Sequence, residues 1–369
     1  MSRASNGGAT VYFADARVRA LEPGKTLPAK FKRLLRRFKL ADRVADRSVG
    51  IKMHFGGGTG YSTVPPIFVR LLVEELREAG ARSIKVMDND PADGTARGYT
   101  PEVLGCQVVS CFGATGKYLY REPIGFRTLD AVDFGGEAVD CDFFIDLSHV
   151  KGHGDCGFGG ALKNIAMGTV NGASRAKMHQ VEGGIDYDPE KCIFCKKCFE
   201  ACPHDAISLD EKARKIRIFY HDCNYCQHCV MACPTGAVVM NERKFDDFAE
   251  AMARVTTAFL GRFDPADLLF INVLLAVTIY CDCWGMTTPA LVPDIGILAS
   301  DDIVAVENAG LDMIKTENLL PGGLPAGRKL LGREGHLFEK IHGKNPYTMV
   351  ELLQKLYGGS PEYAVSEVR

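Results

Sequence analysis

The residues most able to do chemistry are fourteen cysteines, eight of which fall in two blocks. Cys192, Cys195, Cys198 and Cys202 form the first, followed by Pro203; Cys223, Cys226, Cys229 and Cys233 form the second, followed by Pro234. Both obey C-x2-C-x2-C-x3-C-P, an internal repeat as well as a double motif. Three close thiolates can wrap one face of an iron–sulfur cubane while a remote fourth closes it, and in two-cluster proteins that fourth ligand belongs to the other block. The spacing therefore predicts two 4Fe-4S clusters, one on Cys192, Cys195, Cys198 and Cys233, the other on Cys223, Cys226, Cys229 and Cys202. Sets of four cysteines also hold structural zinc, but the rhythm and the trailing prolines favour clusters. Thiolate ligation needs a reducing or anaerobic compartment, so the expected location is cytoplasmic.

A second group lies in SHVKGHGDCGFGGALKN: His149, Lys151, His153, Lys163 and Asn164. In extended backbone, residues 149, 151 and 153 share a side, so two imidazoles and an ammonium can face one cavity. Five glycines between positions 152 and 160 allow close backbone approach to a ligand. His54 follows an apolar run in IKMHFGGG, and Cys281, Asp282 and Cys283 follow another in YCDCWGMTTP. Imidazole beside lysine suits an anionic substrate that is protonated as it is reduced, with His149, Lys151, His153 and Lys163 as the catalytic candidates. Imidazoles with Cys281 or Cys283 can instead hold a further metal, and packing alone is the ordinary role of a buried thiol. The loop GGGTGYST lacks both dinucleotide and phosphate-loop glycine patterns, and no motif specifies a flavin, although a flavin can exchange single electrons.

These residues need elements to position them. VGIKMHF reads as a strand over 49–55, IFVRLLVEELREA as a helix over 65–79 and SIKVMD as a strand over 83–88, which is a βαβ unit. Further strands are expected over 142–147 and 269–279, and helices over 245–259, 301–314 and 346–356 before a polar tail. The fold class is α/β, a mostly parallel sheet flanked by helices, with an inserted two-cluster ferredoxin-like α+β module. The boundaries follow composition: 1–187 and 242–369 for the α/β domain, 188–241 for the insertion.

A net charge of -2 argues against nucleic-acid binding. The run KFKRLLRRFKL, 30–40, reads as an amphipathic helix with Phe31, Leu34, Leu35 and Phe38 turned inward, or as a docking patch for an acidic redox partner. The apolar stretch LLFINVLLAVTIY is too short to span a bilayer, and the first residues carry no apolar core of an export signal.

The stretches VGIKMHFGGGTGY, SHVKGHGDCGFGGALKNIAMG and CDCWGMTTPALVPDIGILASDDIVAVENAGLDMI resemble the domain-of-unknown-function family numbered 362, in its version with an inserted two-cluster ferredoxin module. The resemblance implies cluster binding on an α/β scaffold. By it, His54, His149, Lys151, His153, Lys163, Asn164, Cys281, Asp282 and Cys283 stand at recurrent polar positions. Asn89, Asp90 and Pro91 depart from the family's usual run, which points to a changed substrate.

Together these features lead to the expectation of an iron–sulfur-dependent reductase that passes single electrons to an anionic small-molecule substrate in the α/β body, with a redox protein as donor or acceptor. The alternatives are a non-catalytic electron carrier and a metal- or cofactor-maturation protein.

Overall fold

The computed structural model describes residues 8–181, 184–203, 205–218, 223, 228–240, 245–326 and 329–369. Eight strands form the central sheet: β1 (Ala9–Asp15), β2 (Ser48–Met53), β3 (Ser83–Asp88), β4 (Gln107–Ser110), β5 (Phe143–His149), β6 (Leu268–Leu274), β7 (Gly296–Ser300) and β8 (Tyr363–Glu367). Their order across the sheet is β8-β1-β7-β6-β5-β2-β3-β4. β7 is antiparallel to both of its neighbours, and every other pairing is parallel.

The central strands are buried on both faces, as parallel strands covered by helices must be. In β5, Phe143, Ile145 and Leu147 face one core while Phe144 faces the other. The first core is closed by α1 (Leu27–Arg36) through Phe31 and Leu34, and by α2 (Pro66–Glu78) through Phe68 and Leu72. The second takes α3 (Ala161–Gly168), α4 (Phe245–Leu260), α5 (Ile303–Met313) and α6 (Tyr347–Tyr357). α5 starts at Asp302, whose side chain accepts from the Ala305 N–H and so satisfies one otherwise unpaired donor of the first turn. Among the described residues no helix is long and apolar enough to cross a membrane.

Two expectations shift in detail, and a third holds. β6 ends at Leu274 instead of continuing to 279, because Ala276 takes a left-handed φ of 46° with its N–H held by Asp294 Oδ1 at 2.7 Å. The polar tail carries β8, which pairs in parallel with β1 at the sheet edge. The basic run forms α1 with Phe31, Leu34 and Leu35 fully buried, and Phe38 beyond its end nearly so. Its charges are largely engaged: Lys30 donates to the Asp15 and Arg17 carbonyls and Arg36 pairs with Glu75.

Within 185–240 the chain forms two small antiparallel ribbons, Ile185–Tyr187 with Val238–Met240 and Ile207–Asp210 with Lys215–Ile218. Short helices cover Lys197–Glu200 and His228–Ala232. This region has its own small core of Ile185, Ile207, Ile216 and Val238 packed with Cys198 and Cys229.

Candidate functional site

The site begins with polar residues that interrupt apolar strands. Lys52 in β2, Asp146 in β5 and Asn272 in β6 all lie on the sheet face covered by α3 and are fully buried. Such groups are tolerated inside only when hydrogen-bonded. Lys52 Nζ donates to Asp88 Oδ1 at 2.9 Å, Asn164 Oδ1 at 2.7 Å and the Met53 carbonyl at 2.8 Å, using all three of its protons. Asn164 Nδ2 returns bonds to the Lys52 carbonyl and to Asp146 Oδ2 at 2.8 Å. Asp88 Oδ2 accepts from the Phe55 N–H at 2.8 Å and meets His54 Nδ1 at 3.2 Å. Burial pushes against Asp88 ionisation, but Lys52, His54 and that N–H outweigh it and hold the carboxyl well below the usual range. Asp146 has weaker compensation, and burial pushes it up to about 8. α3 approaches this network closely because Gly168 has no side chain; a Cβ there would stand 2.3 Å from Lys52 Nζ.

The strand ends carry the second half of the site. His149 Nε2 contacts the Leu275 carbonyl at 2.7 Å and must donate, so neutral His149 presents an acceptor at Nδ1, 3.4 Å from Lys151 Nζ. Burial, reinforced by Lys151, lowers the His149 pKa and keeps the ring neutral. Both residues flank Asp282, whose Oδ1 accepts from Ser62 and Thr287. Among the described residues Asp282 Oδ2 has no hydrogen-bond partner, and it lies 3.7 Å from both His149 Nδ1 and Lys151 Nζ. His153 Nδ1 accepts from the Asp155 N–H, which leaves its Nε2 to face Cys283 Sγ at 3.8 Å.

Lys163 Nζ, from the first turn of α3, stands 3.9 Å from Cys281 Sγ and 4.0 Å from Cys283 Sγ. Burial would raise the Cys281 pKa, but a hydrogen bond with Cys283 and the charges of Lys151, Lys163 and His54 hold it well below the usual thiol value. Cys283, bonded to that thiolate and buried, is pushed well above it. The cations respond in kind: burial opposes the charge on Lys163 and His54, yet Cys281 heads the effects that raise both. His54 Nε2 is buried without an aligned hydrogen-bond partner among the described residues.

One cavity of about 1400 Å³ joins these residues. Lys52, His54, His149, Lys151, His153, Lys163, Asn164, Cys281 and Cys283 line one side, and Asp282 lies buried behind them. Tyr187, Lys191, Arg217 and Val239, from the cysteine-rich region, line the other. The glycine loop after β2 contributes Gly56 and Gly57, but its carbonyls at Gly57, Gly58 and Gly60 accept from Arg97 and the Thr59 N–H goes to Gly285. That loop is a brace against the Cys281–Cys283 turn.

Cys192, Cys195, Cys198 and Cys233 line one small cavity of their own. Cys198 feels Cys195 and Cys233 as neighbouring thiols, and Cys229 feels Cys223 and Cys202 ahead of Cys198. Cys226 lies outside the described residues. Among those described, no group of three or more His, Cys, Asp or Glu stands in the geometry of a single-ion site.

Sequence patterning missed Lys52, Asp146 and Asn272, although IKM, FID and INV each place a polar residue in an apolar strand. It also missed Arg175, which lines the cavity, and Glu307, fully buried in α5, which accepts from the Leu162 N–H at the start of α3 at 2.7 Å.

Solved structures with similarity include the lactate racemase apoprotein from Thermoanaerobacterium thermosaccharolyticum, at 14% identity over 72% of this chain and 51% of that one, with a TM-score of 0.36. A second is a crystal structure of a protein from Thermotoga maritima, at 11% identity over 69% of this chain and 52% of that one, TM-score 0.38. The chain thus spans about half the length of these structures. No curated protein matches it. A family model described as a domain of unknown function, DUF362, matches residues 49–312, more than half of the sequence, and the chain belongs to that family.

Proposed function

We propose that this chain is an iron–sulfur oxidoreductase in which two 4Fe-4S clusters, in an inserted module over 188–241, feed single electrons to a substrate bound in the α/β body. The observation that carries the reading is the shared cavity: one wall comes from the cysteine-rich region and the other from the His, Lys and Cys residues at the strand ends. The thiols fit the groups required. Cys192, Cys195, Cys198 and Cys233 line one small cavity, and Cys229 neighbours both Cys223 and Cys202, a crossed pairing suited to two cubanes. A cubane takes one thiolate per iron, so its cysteines stand wider apart than the ligands of a single ion. When bound, such clusters supply electrons one at a time.

The remaining chemistry belongs to side chains. Lys151, Lys163, Arg175, Lys191 and Arg217 give the cavity cations able to pair with a carboxylate- or phosphate-bearing substrate, beside the carboxylates of Asp88, Asp90, Asp93, Asp186 and Asp188. At the cavity wall His149 Nδ1 offers an acceptor and Lys151 Nζ a donor to a polar group, each 3.7 Å from Asp282 Oδ2 behind them. His54, raised by Cys281 and Asp88 and with Nε2 unaligned, is the imidazole best placed to deliver a proton.

The test uses anaerobically reconstituted protein reduced with dithionite and a panel of 2-oxo and 2,3-unsaturated carboxylates. Acceleration of cluster reoxidation by one of them, abolished in Lys151→Ala and Lys163→Ala without loss of iron, is the expected result. Reoxidation by an acidic electron-carrier protein but by no small anion would replace the reductase with a carrier.

A further inference from the structure

We propose that Cys281 and Cys283 are a redox-active dithiol that cycles with a Cys281–Cys283 disulfide, holding two electrons at the cavity wall. Delivery of electrons to it from the two clusters rests on the function proposed above; the dithiol itself rests on these two residues and their neighbours.

The contrast with other cysteines in the chain is direct. Cys111, Cys141 and Cys156 donate to the Gly168, Ala138 and Phe158 carbonyls, and burial pushes each thiol up to about 12, the behaviour of inert packing groups. Cys281 and Cys283 instead line the cavity, with one ammonium, Lys163 Nζ, within 4.0 Å of both sulfurs. Cys281 Sγ also accepts from the Cys283 N–H at 3.4 Å. Asp282 begins a short 3-10 turn, Asp282–Trp284, so a single helical residue separates the two cysteines, a spacing compatible with the roughly 4.4–6.8 Å Cα separation of disulfides. The resulting ring is small, and strained disulfides are the readily reduced ones.

Oxidation removes two electrons from the thiolate–thiol pair, releases the Cys283 proton and forms the S–S bond. In the reverse direction the disulfide takes up two electrons, one from each of two one-electron donors of the iron–sulfur class, and one proton from solvent. The S–S bond breaks, giving the Cys281 thiolate and the Cys283 thiol. The pair thereby converts two single-electron arrivals into one two-electron donor beside the substrate space. With an organic disulfide as oxidant, Cys281 attacks one sulfur and expels a thiolate, and Cys283 then attacks Cys281 and expels the second.

The experiment equilibrates the full chain, purified anaerobically, in reduced and oxidised glutathione over a wide range of ratios, followed by acid quench, alkylation and peptide mass analysis. Expected is a single two-electron transition in which the 281–283 peptide loses two hydrogens while Cys111, Cys141 and Cys156 stay alkylated. Cys283→Ser should accumulate a glutathione mixed disulfide at Cys281, and Lys163→Ala should slow its formation about tenfold at neutral pH, with Lys163→Arg restoring it. The idea is overturned if the peptide keeps both hydrogens at every ratio and Cys283→Ser forms the adduct no faster than Cys156 does. Iron and sulfide assays on the same samples separate the claims: a cycling pair without iron removes only the cluster reading, and an inert pair with iron removes only the dithiol.

Discussion

Two halves of the cluster at the C-terminal ends of the central strands use the same kinds of side chain to opposite ends. Around Lys52, every proton of the ammonium and both oxygens of Asp88 have partners, and Asn164 ties the group to Asp146. Around Cys281, by contrast, charges gather but contacts stay loose: among the described residues His54 Nε2 and Asp282 Oδ2 have no hydrogen-bond partner at ordinary distance and angle, and the sulfur–ammonium distances are 3.9 and 4.0 Å. A saturated network fixes geometry and has nothing left for a ligand. An unsaturated one, on the cavity wall, keeps its capacity for a substrate.

The largest effect that separates the two is expected in the saturated half. Lys52→Met leaves Asp88 charged and buried without its ammonium, with only His54 beside it, a loss of about 3–5 kcal/mol in urea unfolding at neutral pH. Because the Asp88 pKa is depressed in the folded state, that stabilisation is present above the unfolded carboxyl value of about 3.9 and is lost as pH falls through the folded one. The gap between wild type and variant should therefore close in acid. A gap independent of pH would break the assignment.

Gly168→Ala comes next. The added methyl meets Lys52 Nζ and should cost about 1–3 kcal/mol by forcing α3 away from β2, read by the same unfolding curves. Asp146 gives the opposite pH sign. Its pKa is raised to about 8, so its favourable contribution is complete below about 3.9 and declines as pH rises through 8. Asp146→Asn should flatten wild-type stability between pH 4 and 8; an unchanged slope would mean that Asp146 is ionised throughout.

In the unsaturated half, Lys163→Ala should change stability by only about 1 kcal/mol, because Cys281 can take up a proton when its ammonium is gone. A loss as large as that of Lys52→Met would erase the distinction. Smallest of all, Arg70→Ala breaks an exposed pair with Glu74 on α2 and should shift stability by less than about 0.5 kcal/mol.

The parallel sheet and its helices were legible because apolar periodicity reports burial directly: Ser83–Asp88 and Phe245–Leu260 fall nearly where their patterns place them. Convergence of the His and Lys residues with His54 and Cys281 was legible only as strand-end loops on one side of a parallel sheet. What patterning could not supply was the partnership among distant residues. Lys52 and Asn164 are 112 positions apart and Lys163 and Cys281 are 118, and neither spacing carries a local signal. The short edge strand β8 escaped notice because Tyr363–Glu367 alternates weakly and is buried on neither face.

The function proposed above requires electrons to reach these strand ends from two iron–sulfur clusters. Its most direct test is quantitative iron, acid-labile sulfide and zinc per chain in anaerobically purified protein, beside the Cys195→Ser variant. Expected are about eight irons and eight sulfides per wild-type chain, with the first cluster diminished in the variant and no stoichiometric zinc. Stoichiometric zinc without labile sulfide would contradict it.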